Sequence, residues 1–361
     1  MYNLSVITVM NSTLRQAVGI DVAQNELVVC LSKIDKLNNV DMIANSVFEN
    51  TPSGYKKLLA WTKKNAEKKV SIRYVMEATG VYHERFAYFL DEQNQDVSIV
   101  LPNKISNFVR TLDIKTVTDK TSSQAIARFG LERKLDSWNR PDPVFVQLRK
   151  LTREREQITV DRTSLICQLH AEEKAAVKNA RTIERITMRI ELIELQESEI
   201  MEDIKKLLSE NKELKARINR AKTIPGVGLI TAVTVFAETY GFDLIRSKRQ
   251  LASYAGFDVR EKTSGTSVSS TPHISKRGNR HLRKCMYMPS LQAKEKNSEF
   301  EAVYTRLLGK HGIKMKALVA IQRRLLELIY TIDKSGKPFD KNYAKSSSKK
   351  NVKASKELAY A

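Results

Sequence analysis

No apolar run in this sequence approaches the roughly 18 to 20 residues of a membrane-spanning helix, so a partner or anchor of that kind is not expected. Cysteine is scarce as well. Cys30, Cys167 and Cys285 stand far apart, none in a CxxC pair or in a His/Cys cluster of zinc spacing, which argues against structural zinc and against a disulfide framework. The opening residues, MYNLSVITVMNSTLRQ, lack a charged leader and a small-residue cleavage site, so the expectation is a cytoplasmic protein. No internal repeat of solenoid length is found. Between residues 144 and 224 both glycine and proline are missing, which leaves that stretch without the usual helix breakers.

What the chain has in excess is positive charge. Its 62 Lys+Arg against 41 Asp+Glu give a formal charge of +21, more than solubility requires, and this favours a polyanionic partner, nucleic acid first. With 42% hydrophobic and 29% charged residues the sequence fits a folded helical protein with a large solvated surface. Its 361 residues suffice for two domains and a connecting element.

Four segments are expected. Residues 1–144 alternate strand-like and helix-like patterns. Residues 17–22 and 26–31 form a hairpin, 71–77 and 97–101 are further strands, and helices lie around 54–66 and 83–93, giving an α/β layered domain. Residues 119–135 form a helix leading out of it. Residues 145–222 are a long helical arm. There Ile186, Ile190, Ile193, Ile200, Ile204, Leu207, Leu214 and Ile218 follow steps of three and four, with Glu197 and Asn211 at intervening positions. That pattern is a coiled-coil seam whose polar Asn211 can select the partner helix; a helical hairpin within one chain is the alternative. Residues 223–333 form a second, mainly helical globular part, and 334–361 a basic disordered tail.

Two groups of residues carry chemistry. Asp21 ends one apolar strand and Glu77 closes another, so both acids can converge on one point; Asp119 opens a helix, with Ser122 about one turn on along the same face. Hard oxygen ligands of this kind suit Mg²⁺, which offsets charge developing on phosphorus. In the second globular part, Ile224-Pro225-Gly226-Val227-Gly228 precedes an apolar helix, like a helix-hairpin-helix turn whose amides at Gly226 and Gly228 face phosphate; a tight turn into a buried helix reads equally well. Further on, a Ser/Thr-rich loop sets Ser264 beside glycine among Lys262, Lys276, Arg277, Arg280 and Arg283. A hydroxyl in such a basic setting suits nucleophilic phosphoryl transfer.

These motifs occur together in one order: Gly19-Ile20-Asp21-Val22-Ala23, Glu77-Ala78-Thr79-Gly80-Val81-Tyr82, Thr118-Asp119, Ile224-Pro225-Gly226-Val227-Gly228, Leu251-Ala252-Ser253-Tyr254-Ala255-Gly256-Phe257 and Ile274-Ser275-Lys276-Arg277-Gly278-Asn279. In this the chain resembles the IS110-type insertion-sequence transposases and related site-specific invertases, over nearly its whole length to about residue 330. The resemblance implies an RNase H-like, RuvC-type N-terminal domain with an Asp-Glu-Asp-Asp set holding Mg²⁺, and a C-terminal domain with a catalytic serine. By position, Asp21, Glu77 and Asp119 take the first three acidic places and Ser264 that of the serine. It further implies a covalent 5′-phosphoserine link to DNA, strand exchange between donor and target DNA, a noncoding bridge RNA as guide, a homo-oligomer of two or four chains, and a nucleoid-associated location. One departure stands out: Ser122 occupies the place of the fourth acid, and a hydroxyl binds Mg²⁺ more weakly than a carboxylate. Two other readings are a RuvC-like metal-dependent nuclease or junction resolvase acting through water, and a catalytically inactive nucleic-acid-binding protein.

Overall fold

The computed structural model describes residues 12–340 apart from 79, 113–115, 117, 262, 265–267, 270 and 271; residues 263, 264, 268 and 269 are described in backbone only. The chain divides into two compact units, residues 1–140 and 141–361. The tail expected from residue 334 begins as the end of a helix, and residues 341–361 lie outside the described residues.

In the first unit, β1 (Thr13–Val22), β2 (Glu26–Asp35) and β3 (Val40–Glu49) form an antiparallel meander, and β4 (Ile72–Glu77) and β5 (Asp96–Val100) add in parallel beside β1. The sheet order is β3-β2-β1-β4-β5. Helix α1 (Pro52–Asn65) connects β3 to β4, and α2 (Glu84–Glu92) connects β4 to β5, as parallel neighbours require a crossover. The α/β layered domain and its first hairpin are therefore as expected, and β3 is added. Its alternation is weak because it is an edge strand, with Asp41, Met42 and Val47 exposed. Central β1 shows the opposite: Ala17, Val18 and Ile20 are all buried because both faces of the strand are covered.

Helix α3 (Pro102–Val109) follows β5, and α4 (Asp119–Glu132) packs across β1 and β2. Thr118 caps α4: its hydroxyl accepts from the Thr121 amide at 3.3 Å while the Thr121 hydroxyl accepts from the Thr118 amide at 2.8 Å. A Cβ on Gly19 of β1 would lie 2.2 Å from both the Ala127 nitrogen and the Ser123 carbonyl oxygen of α4. Only glycine lets this helix lie so close to the strand. Gly19→Ala is expected to destabilise the unit by about 3 kcal/mol, read as a shift in the urea midpoint, because two backbones have to separate; a loss of only a few tenths would mean α4 moves aside freely.

The second unit opens with α5 (Pro143–Lys174) and α6 (Ala180–Glu210), which pack against each other as an antiparallel hairpin. Arg155 pairs with Glu197, and Arg162 reaches Glu197 at 3.5 Å and Glu194 at 3.6 Å, so the two sequences run in opposite directions. The helical arm is thus present with its seam closed within the chain, the alternative noted above. Asn211 does not sit in that seam. Its backbone leaves the helical region (φ −115°, ψ 80°), and it separates α6 from α7 (Lys212–Ala221), its side-chain amide donating to the Leu207 carbonyl at 2.9 Å.

Helices α8 (Leu229–Glu238), α9 (Lys248–Ala255), α10 (Arg280–Cys285), α11 (Tyr287–Lys296), α12 (Ser298–His311) and α13 (Lys314–Ser335) complete the second unit. Their core joins Phe236, Phe242, Leu251, Phe257, Leu282, Ile321, Leu325 and Ile329 with Ile204, Leu208 and Ile218 from the arm. The Ser/Thr-rich stretch expected as a loop carries short strands instead. β6 (Val259–Arg260) pairs with β9 (His273–Ile274), and β7 (Thr263–Ser264) with β8 (Val268–Ser269). Strands of two residues are too short for any apolar alternation to be read from sequence.

Candidate functional site

The strand register brings the acids together. Ile20 of β1 pairs with Met76 of β4, so Asp21 and Glu77 are the next residues along two adjacent parallel strands. Asp119 is the first residue of α4, which Gly19 admits onto β1, and Ser122 lies one turn on. Ser122, Asp119 and Glu77 all act on the Asp21 carboxylate electrostatically. Burial first, then the charges of Asp119 and Glu77, push the Asp21 carboxyl up to about 6, against the lowering effect of hydrogen bonds from the Val22 amide and Ser122. Asn50, which sequence reasoning missed, staples the loops beyond both strands: its amide donates to the Ala23 carbonyl at 2.9 Å and to the Tyr82 carbonyl at 3.2 Å, and its oxygen accepts from the Tyr55 hydroxyl at 2.6 Å. Nothing local in the sequence marks that asparagine.

Among the described residues no three His, Cys, Asp or Glu side chains stand close enough to hold a metal ion as they are. The donors at this end of the sheet, three carboxylates and one hydroxyl, are all hard oxygens, and their mutual repulsion falls on one partly buried carboxyl. They fit a divalent cation such as Mg²⁺ in kind, with side-chain rotation needed to close around it.

In the second unit, Ser264 lies in β7 with its backbone paired to Val268; Lys262 lies outside the described residues. At the foot of the hairpin the Ser275 hydroxyl donates to the Asp258 carboxylate at 2.6 Å, and the Asn279 amide nitrogen donates to the Tyr254 carbonyl at 2.8 Å. Lys276 (φ 53°), Arg277 and Arg280 are exposed. Arg283 turns inward, donating to the carbonyls of Ala255 at 2.7 Å and Gly278 at 3.2 Å, so it holds the fold at the hairpin base. Gly226 (φ +84°) is likewise a packing residue: a Cβ there would lie 2.4 Å from the Pro289 carbonyl oxygen of α11. Gly228, at the start of α8, has open space around it.

Behind this segment lies Glu238, which the sequence did not single out. The residue is 1% exposed, and its carboxylate accepts from Arg153 Nε at 2.6 Å, from Arg153 Nη2 at 2.8 Å and from the Asn279 side chain at 2.6 Å. Asn279 in turn caps α10, its oxygen accepting from the amides of His281 at 2.9 Å and Leu282 at 3.1 Å. Burial works to raise the Glu238 pKa, but the hydrogen bonds from Arg153 and Asn279 overcome it and leave the carboxyl below its usual value. This contribution to stability is complete above the unfolded carboxyl pKa and disappears as pH falls through the lower folded value. Glu238→Gln is therefore expected to cost about 2 kcal/mol at pH 7 and less at about pH 3, discounting for the partial exposure of Arg153. Parallel denaturation curves at both pH values, with the same loss at each, would remove the charge from the explanation.

Two family models match this chain: the IS110 DEDD transposase model over residues 18–172, and a model described as transposase IS116/IS110/IS902 family over residues 218–305. Over 326 residues the chain is 27% identical to the pilin gene-inverting protein of Moraxella bovis, covering 90% of this chain and 97% of that one. An uncharacterized 43.6 kDa protein of insertion element IS110 from Streptomyces coelicolor is 25% identical over 114 residues, 32% of this chain and 28% of that one. Among solved structures, the Thermus thermophilus RuvC in complex with a Holliday junction substrate aligns with 34% of this chain and 99% of its own, at 8% identity and a TM-score of 0.27. The class is that of the DNA transposases, and the chain belongs to the IS110 family among them.

Proposed function

We propose that this transposase cuts and rejoins donor and target DNA through Ser264, with Asp21, Glu77 and Asp119 holding Mg²⁺ and Ser122 supplying a fourth, neutral donor. The observation that carries the reading is the meeting of these four positions at one end of the sheet, with Asp21 under the charge of both other acids. In the serine step, the Ser264 oxygen bonds to phosphorus, its proton departs, and the phosphorus bond to the 3′ oxygen breaks, leaving a 5′-phosphoserine and a free 3′ hydroxyl. Attack by a second 3′ hydroxyl reverses the step and joins new ends. Mg²⁺ would offset the charge developing on the phosphate oxygens. The chain's own residues orient the donors: Asn50 ties the loop after Asp21 to the loop after Glu77.

Selection of sites by a bridge RNA leaves the protein to read backbone and shape, in keeping with its charge of +21. Assembly into a dimer or tetramer draws on the arm, where Met188, Leu192 and Leu195 of α6 leave an exposed apolar stripe at helical spacing. The test incubates the protein with Mg²⁺, labelled donor and target DNA and RNA transcribed from the flanking element, and looks for a denaturation-resistant adduct. A peptide carrying phosphoserine at 264 supports the reading. Cleavage through water, with no adduct at any time, transfers it to a metal-dependent nuclease.

A further inference from the structure

Arg153, Glu156, Gln157 and Val160 of α5 and Arg280, His281 and Lys284 of α10 line an open groove of about 360 Å³. We infer that this groove is a seat for the phosphodiester backbone of a nucleic-acid strand, placed at the foot of the serine hairpin. The inference rests on the nucleic-acid reading above and adds a site to it.

The groove is built rather than incidental. Arg153 is anchored from behind by the buried Glu238, yet its side chain remains 41% exposed and faces the groove. On the other side Glu156 fixes two donors at once, accepting from Lys284 Nζ at 3.0 Å and pairing with His281 Nδ1 at 2.6 Å. Those restraints hold long side chains in place before a ligand arrives, which lowers the ordering cost of binding. Arg153, Arg280 and Lys284 set three positive charges against two carboxylates, Glu156 in the lining and Glu238 behind Arg153, which leaves an excess of one positive charge. Among the described residues no Phe, Tyr or Trp lines it and its one imidazole, His281, is held by Glu156, so the chemistry is chiefly that of phosphate contact. Arg280 immediately follows Asn279, whose amide bonds to the Tyr254 carbonyl at 2.8 Å where the hairpin closes. The groove thus adjoins the base of the segment whose strand β7 carries Ser264.

The test measures binding of the full chain to three probes of one sequence, a duplex of about 30 base pairs, its single DNA strand and the matching RNA, from about 50 to 200 mM KCl. Arg280→Gln combined with Lys284→Gln removes two groove charges; Lys56→Gln with Lys57→Gln on α1 removes two exposed charges elsewhere. The groove pair is expected to weaken binding about tenfold or more near 0.1 M salt, equally for unrelated sequences. It should also lower the slope of log K against log salt by roughly 1.8 on duplex, about 0.9 per lost contact. Gln157→Lys, an exposed change that leaves the ion pairs alone, should raise the slope by about 0.9. The probe losing most affinity identifies whether the seated strand is DNA or RNA. Wild-type binding with the groove pair indistinguishable from the α1 pair overturns the groove alone, whereas failure of the wild type to bind any probe overturns the nucleic-acid reading as a whole.

Discussion

Ser264→Ala is expected to lower the yield of covalent protein–DNA adduct by at least about a thousandfold, because the substitution deletes the one atom that bonds to phosphorus. DNA affinity should stay within about twofold, since the charge of +21 is unchanged and binding of this kind is dominated by phosphate contacts. The pairing of Ser264 with Val268 and of Thr263 with Ser269 is a backbone ladder, which alanine can also form. The experiment compares adduct on a denaturing gel with affinity measured in the same buffer. Equal adduct from both proteins would take Ser264 out of the mechanism. Loss of adduct together with loss of binding would instead show that the serine supports the hairpin.

At Asp21 the expected result is that Asn both destroys activity and stabilises the metal-free protein. Since the folded carboxyl has its pKa raised from 3.8 to about 6, the folded state binds more protons than the unfolded state within that window. Stability therefore falls as pH rises through it and stays reduced above it. With allowance for solvent screening, the cost at neutral pH is about 1 to 3 kcal/mol. Asp21→Asn should raise the melting temperature of the N-terminal unit by about 3 °C or more at pH 8, and by almost nothing near pH 3.5, where the wild-type carboxyl is already protonated. Mg²⁺ should recover the wild-type deficit at pH 8, EDTA should restore it, and the Asn variant should respond to neither. A variant less stable than wild type at pH 8 would mean that the carboxylate is held by partners and is not repelled by Glu77 and Asp119.

How far such sites can be read in advance depended on whether the signal was local. Singling out Asp21, Glu77 and Asp119 as a set rested on the resemblance to the IS110 transposases, while each could be placed near the end of an element because the periodicity is written in its neighbours. Helices α1 and α2 and the β1–β2 hairpin were legible for the same reason, and so was the long helical arm, where no glycine or proline interrupts residues 144–224. Strand β3 escaped because an edge strand buries little, and β7 and β8 because two residues show no period. Asn211, with helical pattern on both sides, read as a seam residue, although its backbone breaks the helix.

Element types, charge and the acidic positions thus follow from the order of residues, since they depend on patterns a few residues long. The close approach that makes Gly19 indispensable and the staple made by Asn50 belong to the tertiary structure alone. So do the burial of Glu238 against Arg153, 85 residues away, and the groove between α5 and α10. Each joins residues distant in the chain, and no local pattern records which distant partner will share a buried charge or a backbone contact until the core has closed around them.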